Sequence, residues 1–458
     1  MKRYFSHIIL GFILFSIFSA VLLKISLLYP FLVSILFSFL ILWKAGFKIG
    51  DLFKSSLSGL IECKGLFLLI ILIGANISLW MASGIVPGIM YFGFNYLNGL
   101  NFILTAFLFT SLMAVFTGTA VGTISTLGIA LLGIGRGYGI DDGILLGVLV
   151  SGAFIGDKIS PLSGLLNLTL KTTETNYRKV IKSMMQTFIP VFITTSLIYL
   201  IIGITNSQGV DSKLIEEFQY AINYSFSVSP FILLFPVFII FLPLLGLKII
   251  PTIGIGLLGG IFLSIFLQGY SLTSVLEYIL FGFRGETPSA MLNSILISSG
   301  VKGMVEVVFI VAAIIALSSL LEGAGILKNL IDILLINVKG TGELIFRTGI
   351  LASLLTVVTC DQTAGIVLPG RLFKEKYDKL GVKRENLART ISDTGTVIAP
   401  IIPWNINAII ISLITGISPL RYWPYAVLCY LFPLTVIAIY LLERLNNRGH
   451  SLKNRVSN

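Results

Sequence analysis

Long apolar runs separated by short polar gaps dominate the 458-residue chain. Runs near the ~20 residues that a helix needs to cross a bilayer predict membrane segments. In the first half they fall near 5–23, 27–43, 65–83, 101–116, 124–134, 143–156 and 184–204. In the second they fall near 230–246, 249–268, 303–321, 343–359, 388–402, 405–417 and 424–442. The runs at 124–134, 143–156 and 388–402 are too short to cross alone. Polar stretches rich in Gly and Pro interrupt the pattern at Thr117–Thr123, Gly156–Ser163, Thr359–Gly365 and Ser392–Asn405. Irregular backbone at membrane depth is tolerated only inside protein or along a water-filled cavity. The pattern therefore predicts about 10 to 13 transmembrane segments, some of them broken helices or re-entrant hairpins.

Composition fixes the class: 56% of residues are apolar, 12% are charged, and the mean hydropathy is +0.97. Soluble domains carry about 25% charged residues, so a water-soluble globule is excluded. Ten-residue alternation is absent, which excludes a membrane β-barrel. An all-α polytopic membrane protein remains. The net charge of +11 does not signal a nucleic-acid binder, because the basic residues gather in the polar gaps. They lie at Lys44, Lys48 and Lys54, at Lys171, Arg178, Lys179 and Lys182, from Arg371 to Arg389, and in the tail from Arg444. The segment 84–100 carries no charge, and in the 205–229 gap Asp211, Glu216 and Glu217 outnumber Lys213. This positive-inside bias predicts a cytoplasmic N-terminus, cytoplasmic loops at 44–62, 171–183 and 371–387, and a cytoplasmic C-terminus. The apolar stretch after Lys2 and Arg3 has no small-residue cleavage site behind it and reads as the first span.

Enzyme chemistry finds no foothold. Cys63, Cys360 and Cys429 show neither metal spacing nor a disulfide framework, and the two histidines, His7 and His450, sit near the ends. Nucleophile elbows and phosphate loops are missing, and no cofactor is implied. The polar breaks instead pair up. A shift of 240 residues sets Thr119 and Thr123 on Thr359 and Thr363, and shifts of 236 to 239 set Asp157, Pro161 and Asn167 on Asp393, Pro400 and Asn405. Broken helices at matching places in two halves point to a transporter site at the midplane between inverted repeats. The expected organisation is an N-terminal helical hairpin with a cytoplasmic loop over 1–60, repeats over 61–205 and 230–443, a linker over 206–229, and a basic cytoplasmic tail over 444–458 that contacts anionic lipid.

Candidate chemistry lies in the breaks. A carboxylate in the membrane costs several kcal/mol unless something offsets it, and a cation or a transferable proton does so. Asp157, Asp361 and Asp393 are the candidates. Ser160, Ser163 and Asn167 follow the first; Gln362 and Thr363 follow the second; Thr394 and, further on, Asn405 follow the third. Hard cations prefer such oxygens. Thr117 and Thr119 add hydroxyls, although small-residue helix packing explains them as well. Lys158 is either a charge partner or a side chain reaching to the cytoplasm beyond a helix-capping Asp157. Asp393 could equally form a surface ion pair with Arg389. Arg136, Arg284 and Glu286 fall at membrane interfaces, and Glu322 falls at a helix end or within the membrane.

Ser151-Gly-Ala-Phe-Ile-Gly-Asp-Lys-Ile-Ser-Pro-Leu-Ser163 with Asn167, the preceding Thr117–Thr123 stretch, and Asp361-Gln, Val367–Arg371, Asp393-Thr-Gly-Thr and Pro400–Asn405 occur in order. Together they resemble the signature of NhaC-type sodium/proton antiporters. The resemblance implies exchange of cytoplasmic Na⁺ for external H⁺ in the cell membrane, with Na⁺ at Asp157, Asp361 and Asp393. The partners it implies are the lipid bilayer and the transported cations, and a homodimer is compatible with it. Some relatives exchange malate and lactate, so a Na⁺- or H⁺-coupled organic-acid or amino-acid transporter in the same fold is the alternative. One departure stands out. The family pattern carries Asp-Thr-Thr between Ser163 and Asn167, where this chain has Gly164-Leu165-Leu166, one negative charge fewer.

Overall fold

The computed structural model describes residues 2–97, 99–206, 212–327, 334, 338 and 340–456, with side chains from residue 4 to 442 and residue 212 excepted. Asp211 and the side chains of the basic tail 444–458 lie outside the described part. Every regular element described is helical, because a helix satisfies all of its backbone groups within one segment. Among the described residues seven helices are long and apolar enough to cross a membrane, and four bent pairs raise the number to as many as 11. The outward faces are apolar, with Leu36, Leu40, Ile193, Leu197, Phe262 and Phe309 exposed, as a lipid-facing surface requires.

Two hairpins and two broken crossing helices organise the interior. Hairpin 1 joins Phe102–Thr117 to Ala120–Gly137, the return limb passing through a π-turn at Ile124–Gly128. Crossing helix 1 is Asp142–Ile159 followed by Gly164–Thr173, bent by 40°. Hairpin 2 joins Thr341–Thr359 to Gln362–Lys379, with Tyr377 bonded back to Thr348 near its open end. Crossing helix 2 is Arg384–Ile401 followed by Ile406–Thr415, bent by 41°.

The breaks recur at one spacing. Left-handed residues occur at Gly118 and Cys360, Gly139 and Gly381, and Glu174 and Gly416, each pair 242 apart (360 − 118, 381 − 139, 416 − 174). Helix N-caps repeat at the same 242-residue spacing: Thr119 and Asp361, Asp141 and Lys383, Ser163 and Asn405, Asn176 and Ser418. The register expected from residue identities, 236 to 240, is thereby corrected. Asp361 corresponds to Thr119, and Asp157 and Asp393 are not equivalents. Turn and cap conformations persist at fixed backbone positions where the side chains have diverged.

Ion pairs mark the two ends of the bundle. At one end Arg136 binds Asp142 and Arg421 binds Asp141. At the other Lys374 and Arg384 bind Glu174, and Arg384 also binds Asp378. Hairpin 1 has its open end at the first, where Phe102 meets Tyr138, and hairpin 2 has its open end at the second. The hairpins thus enter from opposite ends, as an inverted arrangement demands.

Three expected loops are helical. Within 44–62, Ile49–Glu62 forms a helix that packs along Gly300–Gly323. Gly59 lies against Ser319 and Gly323 against Ser55, and small residues permit such close approach. Its charges, Asp51, Lys54 and Glu62, sit on the exposed face. In the expected linker, Ser212–Ser225 buries Phe218 and Ile222, with Phe218 against Phe94. The expected 371–387 loop is a continuation of hairpin 2, helical to Lys379. In all three the polar residues occupy one helical face, so the segments lack a 20-residue apolar run yet still bury a stripe.

Candidate functional site

Each hairpin tip docks on the break of a crossing helix. At the first, Thr117 ends a limb, Gly118 takes the left-handed conformation (φ 71°), and Thr119 caps the return limb. A Cβ at Gly118 would lie 2.8 Å from the main-chain carbon of Leu162, so only glycine lets the tip reach the crossing helix. Gly152 and Gly156 of crossing helix 1 meet the main chain of Phe107 and Ala114 in the same way. This contact buries Asp157, and its carboxylate accepts the Ala120 amide at 3.3 Å. A tip amide at the start of a helix is a natural donor to a carboxylate.

The serines of the break hold its shape. Ser160 donates to the Val115 carbonyl at 2.6 Å and accepts from Leu162. Ser163 caps Gly164–Thr173 and donates to the Asp157 carbonyl at 2.9 Å. Asn167 does not join them: it lies exposed, with its amide on the Pro161 carbonyl. Thr117 and Thr123 share a hydroxyl bond of 2.7 Å inside the tip.

Lys158 and Asp393 form an ion pair that links the two halves, with side-chain exposures of 0% and 1%. Asp393 sits on a π-turn, Ser392–Thr396, where the missing regular hydrogen bonds let crossing helix 2 widen. Thr187 donates to the same carboxylate oxygen at 3.3 Å, while the other oxygen has no hydrogen-bond partner among the described residues. The Lys158 ammonium stands 4.2 Å above the centroid of the Phe432 ring, a favourable cation–π distance. Both simpler expectations are corrected. Lys158 does not reach the cytoplasm, and Arg389 is not the partner of Asp393 but is buried on Gln186 and Ser183.

At the second tip Cys360 takes the left-handed conformation (φ 59°) that glycine usually occupies, and its carbonyl accepts the Ile406 amide at 2.9 Å. Asp361 caps Gln362–Lys379, is half-buried, and has Cys63 within electrostatic reach. Gln362 donates to the Thr396 carbonyl at 2.5 Å and accepts from Asn407. Thr363 is exposed. Thr394 donates to the Thr390 carbonyl, and Asn405 caps Ile406–Thr415 with its side-chain nitrogen unpartnered. The hydroxyl of Thr396 is also buried and unpartnered.

The structure therefore pairs Lys158 with Asp393 between the two crossing helices, seats Asp157 at the first hairpin tip and sets Asp361 on the second. Among the described residues no three Asp, Glu, His or Cys side chains cluster closely enough to hold a metal ion. Thr187 and Phe432 contact the ion pair but escape sequence reading, because a lone residue in an apolar run carries no periodic signal. The expected interface residues Arg136 and Arg284 line a cavity of about 720 Å³, and Glu322 lies exposed at a helix end.

Outside the spans, charge pairing sets the carboxylates. Hydrogen bonds from Lys374 and Arg384 hold Glu174 below its ordinary range, and Arg384 does the same for Asp378. Asp141 is raised by partial burial but ends below its ordinary range, because Arg421 and the Gly143 and Ile144 amides outweigh it.

Comparison with known proteins agrees with this architecture. The sodium/proton antiporter NhaC of Alkalihalophilus pseudofirmus is 31% identical over 394 residues, covering 85% of each chain. The malate-2H⁺/Na⁺-lactate antiporter of Bacillus subtilis is 27% identical over 383 residues, 83% of this chain and 82% of that one. The arginine/ornithine antiporter ArcD of Halobacterium salinarum is 28% identical over 434 residues, 94% and 89% of the two chains. Residues 152–443 match the Na⁺/H⁺ antiporter family, and that span contains Asp157, Lys158, Asp361 and Asp393. On these grounds the chain is a member of the Na⁺/H⁺ antiporter family.

Proposed function

We propose that this protein is a secondary transporter, not an enzyme, that exchanges cytoplasmic Na⁺ for external H⁺ across the cell membrane. It needs no cofactor, because Na⁺ and H⁺ are its cargo. The positive-inside bias makes the end holding Glu174 and Lys374 cytoplasmic, with both termini on that side. The halves 61–205 and 230–443 are the moving units, each offering a hairpin tip to a broken crossing helix.

One observation carries the reading. Asp157 is buried at the first tip and its carboxylate accepts a single backbone amide among the described residues. Asp393, by contrast, is already balanced by Lys158. An unbalanced carboxylate in a low-dielectric site favours whichever cation it can take. Na⁺ and H⁺ compete for that one charge, and either leaves the site neutral enough to be carried. The hydroxyls of Thr117, Thr119 and Thr123 on the tip supply further oxygens of the kind Na⁺ prefers.

The test uses everted vesicles loaded with a ΔpH-sensitive dye. Added Na⁺ dissipates the gradient with the native chain and fails to do so with Asp157→Asn. No dequenching by Na⁺, Li⁺ or K⁺ with the native protein overturns the antiport reading.

A further inference from the structure

A second site is built into the end of the bundle that carries Asp141 and Arg421. A cavity of about 720 Å³ opens there between Lys64–Ala82, the return limb of hairpin 1, the outer half of crossing helix 2 and the segment 281–304. Ligand pockets commonly span about 300–1,000 Å³, so the space suffices for a small molecule with its water. Arg136, Arg284 and Lys302 line the wall, and among the described residues no carboxylate does. Arg136 is bonded to Asp142, whereas Arg284 and Lys302 have no carboxylate partner among the described residues. The ammonium of Lys302 lies 5.9 Å from the Phe281 ring centroid, on the same wall. Ser294, Ser298 and Ser299 add hydroxyls, and the first turn of Gly300–Gly323 opens onto the space.

A mouth of this charge repels Na⁺, so it is not the cation's binding site. Arg284 and Lys302 are exposed to the aqueous mouth, and guanidinium and ammonium groups facing one cavity recognise carboxylates by charge-assisted hydrogen bonds. The inner wall is apolar, with Ile77, Ile129 and Leu132 all under a tenth exposed, which suits the short carbon skeleton of a mono- or dicarboxylate better than a hydrated inorganic anion. We propose that this cavity binds a small carboxylate from the aqueous phase, at a site separate from Asp157. Thr415 and Ile129 belong to crossing helix 2 and hairpin 1, so an occupant here touches both elements. The proposal does not depend on the exchange reading, since binding is measured without transport.

The test is scintillation-proximity binding of radiolabelled L-malate and L-lactate to the purified full-length protein, in detergent and in nanodiscs of phosphatidylglycerol or of phosphatidylcholine. Saturable binding of one or both is expected in every medium, weakening as salt is raised. Each charge-assisted contact is worth about tenfold in affinity, so Arg284→Gln and Lys302→Gln each lower it about tenfold, and the pair abolishes it. Arg284→Lys keeps the charge and loses less than Arg284→Gln. Na⁺-dependent dequenching stays intact in all of these variants, which also reports that they fold. Absence of saturable binding to the native protein overturns the proposal. So does equal binding by the double substitution. Binding seen in phosphatidylcholine but displaced in phosphatidylglycerol assigns the cavity to lipid phosphate and overturns it as well.

Discussion

Lys158→Met tests whether the ion pair between the halves is as dry as its 0% and 1% side-chain exposures indicate. The substitution keeps the side-chain length and removes the charge. Asp393 is left with the Thr187 hydroxyl as its remaining side-chain donor and with one oxygen still unpartnered. Breaking one member of a buried pair costs about 3–5 kcal/mol, because the survivor is an uncompensated charge. Asp393→Leu strands Lys158 instead, but Phe432 at 4.2 Å offsets part of the loss, by about 2 kcal/mol at a desolvated site. Arg389 lies within electrostatic reach of both, attracting Asp393 and repelling Lys158, so the two single losses should be of similar size. The double variant leaves no stranded charge and should recover most of the loss, giving a coupling energy well above the roughly 0.2–1 kcal/mol of an exposed pair. Equilibrium unfolding in mixed micelles, followed by tryptophan fluorescence, measures all four corners of the cycle. Dequenching in everted vesicles reports transport, which the double variant is expected to lack although it folds. Additive losses, or a Lys158→Met variant as stable as the native protein, would show that water reaches the pair and would refute the reasoning.

Further expectations follow from the same geometry. Apparent Na⁺ affinity in the dequenching assay should fall as the pH is lowered, because protons and Na⁺ compete for Asp157; an affinity independent of pH contradicts the shared carboxylate. Gly156→Val should overpack the contact with Ala114, where a Cβ would lie 2.3 Å from the main-chain oxygen. Overpacking costs about 1–3 kcal/mol, and a rigid backbone neighbour puts this case at the upper end, readable as a lower melting point. Gly164→Asp meets nothing within 4 Å and should fold normally; a large drop in melting point would contradict its exposed placement. Glu174 and Asp378 sit below their ordinary values, first through hydrogen bonds from Lys374 and Arg384 respectively. Groups lowered on folding add stability that is complete above the unfolded value and lost as pH falls through the folded one. Hydrogen exchange around residues 174–176 and 378–384 should therefore rise below the ordinary carboxylate range, and Arg384→Gln should flatten that dependence.

Hydropathy alone settled the class, the approximate number of spans and the places where they break. A lipid solvent makes those features local: any 20-residue apolar run must be a helix, and a polar interruption must be sheltered. The four breaks and the aspartates within them were legible for that reason, and the motifs in the breaks carried the resemblance to NhaC-type antiporters. Amphipathic helices were not, since Ile49–Glu62 and Ser212–Ser225 bury only one stripe and read as polar gaps. Pairing was also beyond the sequence. Nothing local links Lys158 to Asp393, 235 positions away, or aims Asp157 at the Ala120 amide. Nor does anything local gather Arg136, Arg284 and Lys302 around one cavity. Those relations arise where glycines let main chains meet, at Gly118, Gly152 and Gly156, and close packing between distant segments is a property of the folded whole. The sequence determines which groups must be sheltered from lipid, and the tertiary structure decides which partner shelters each one.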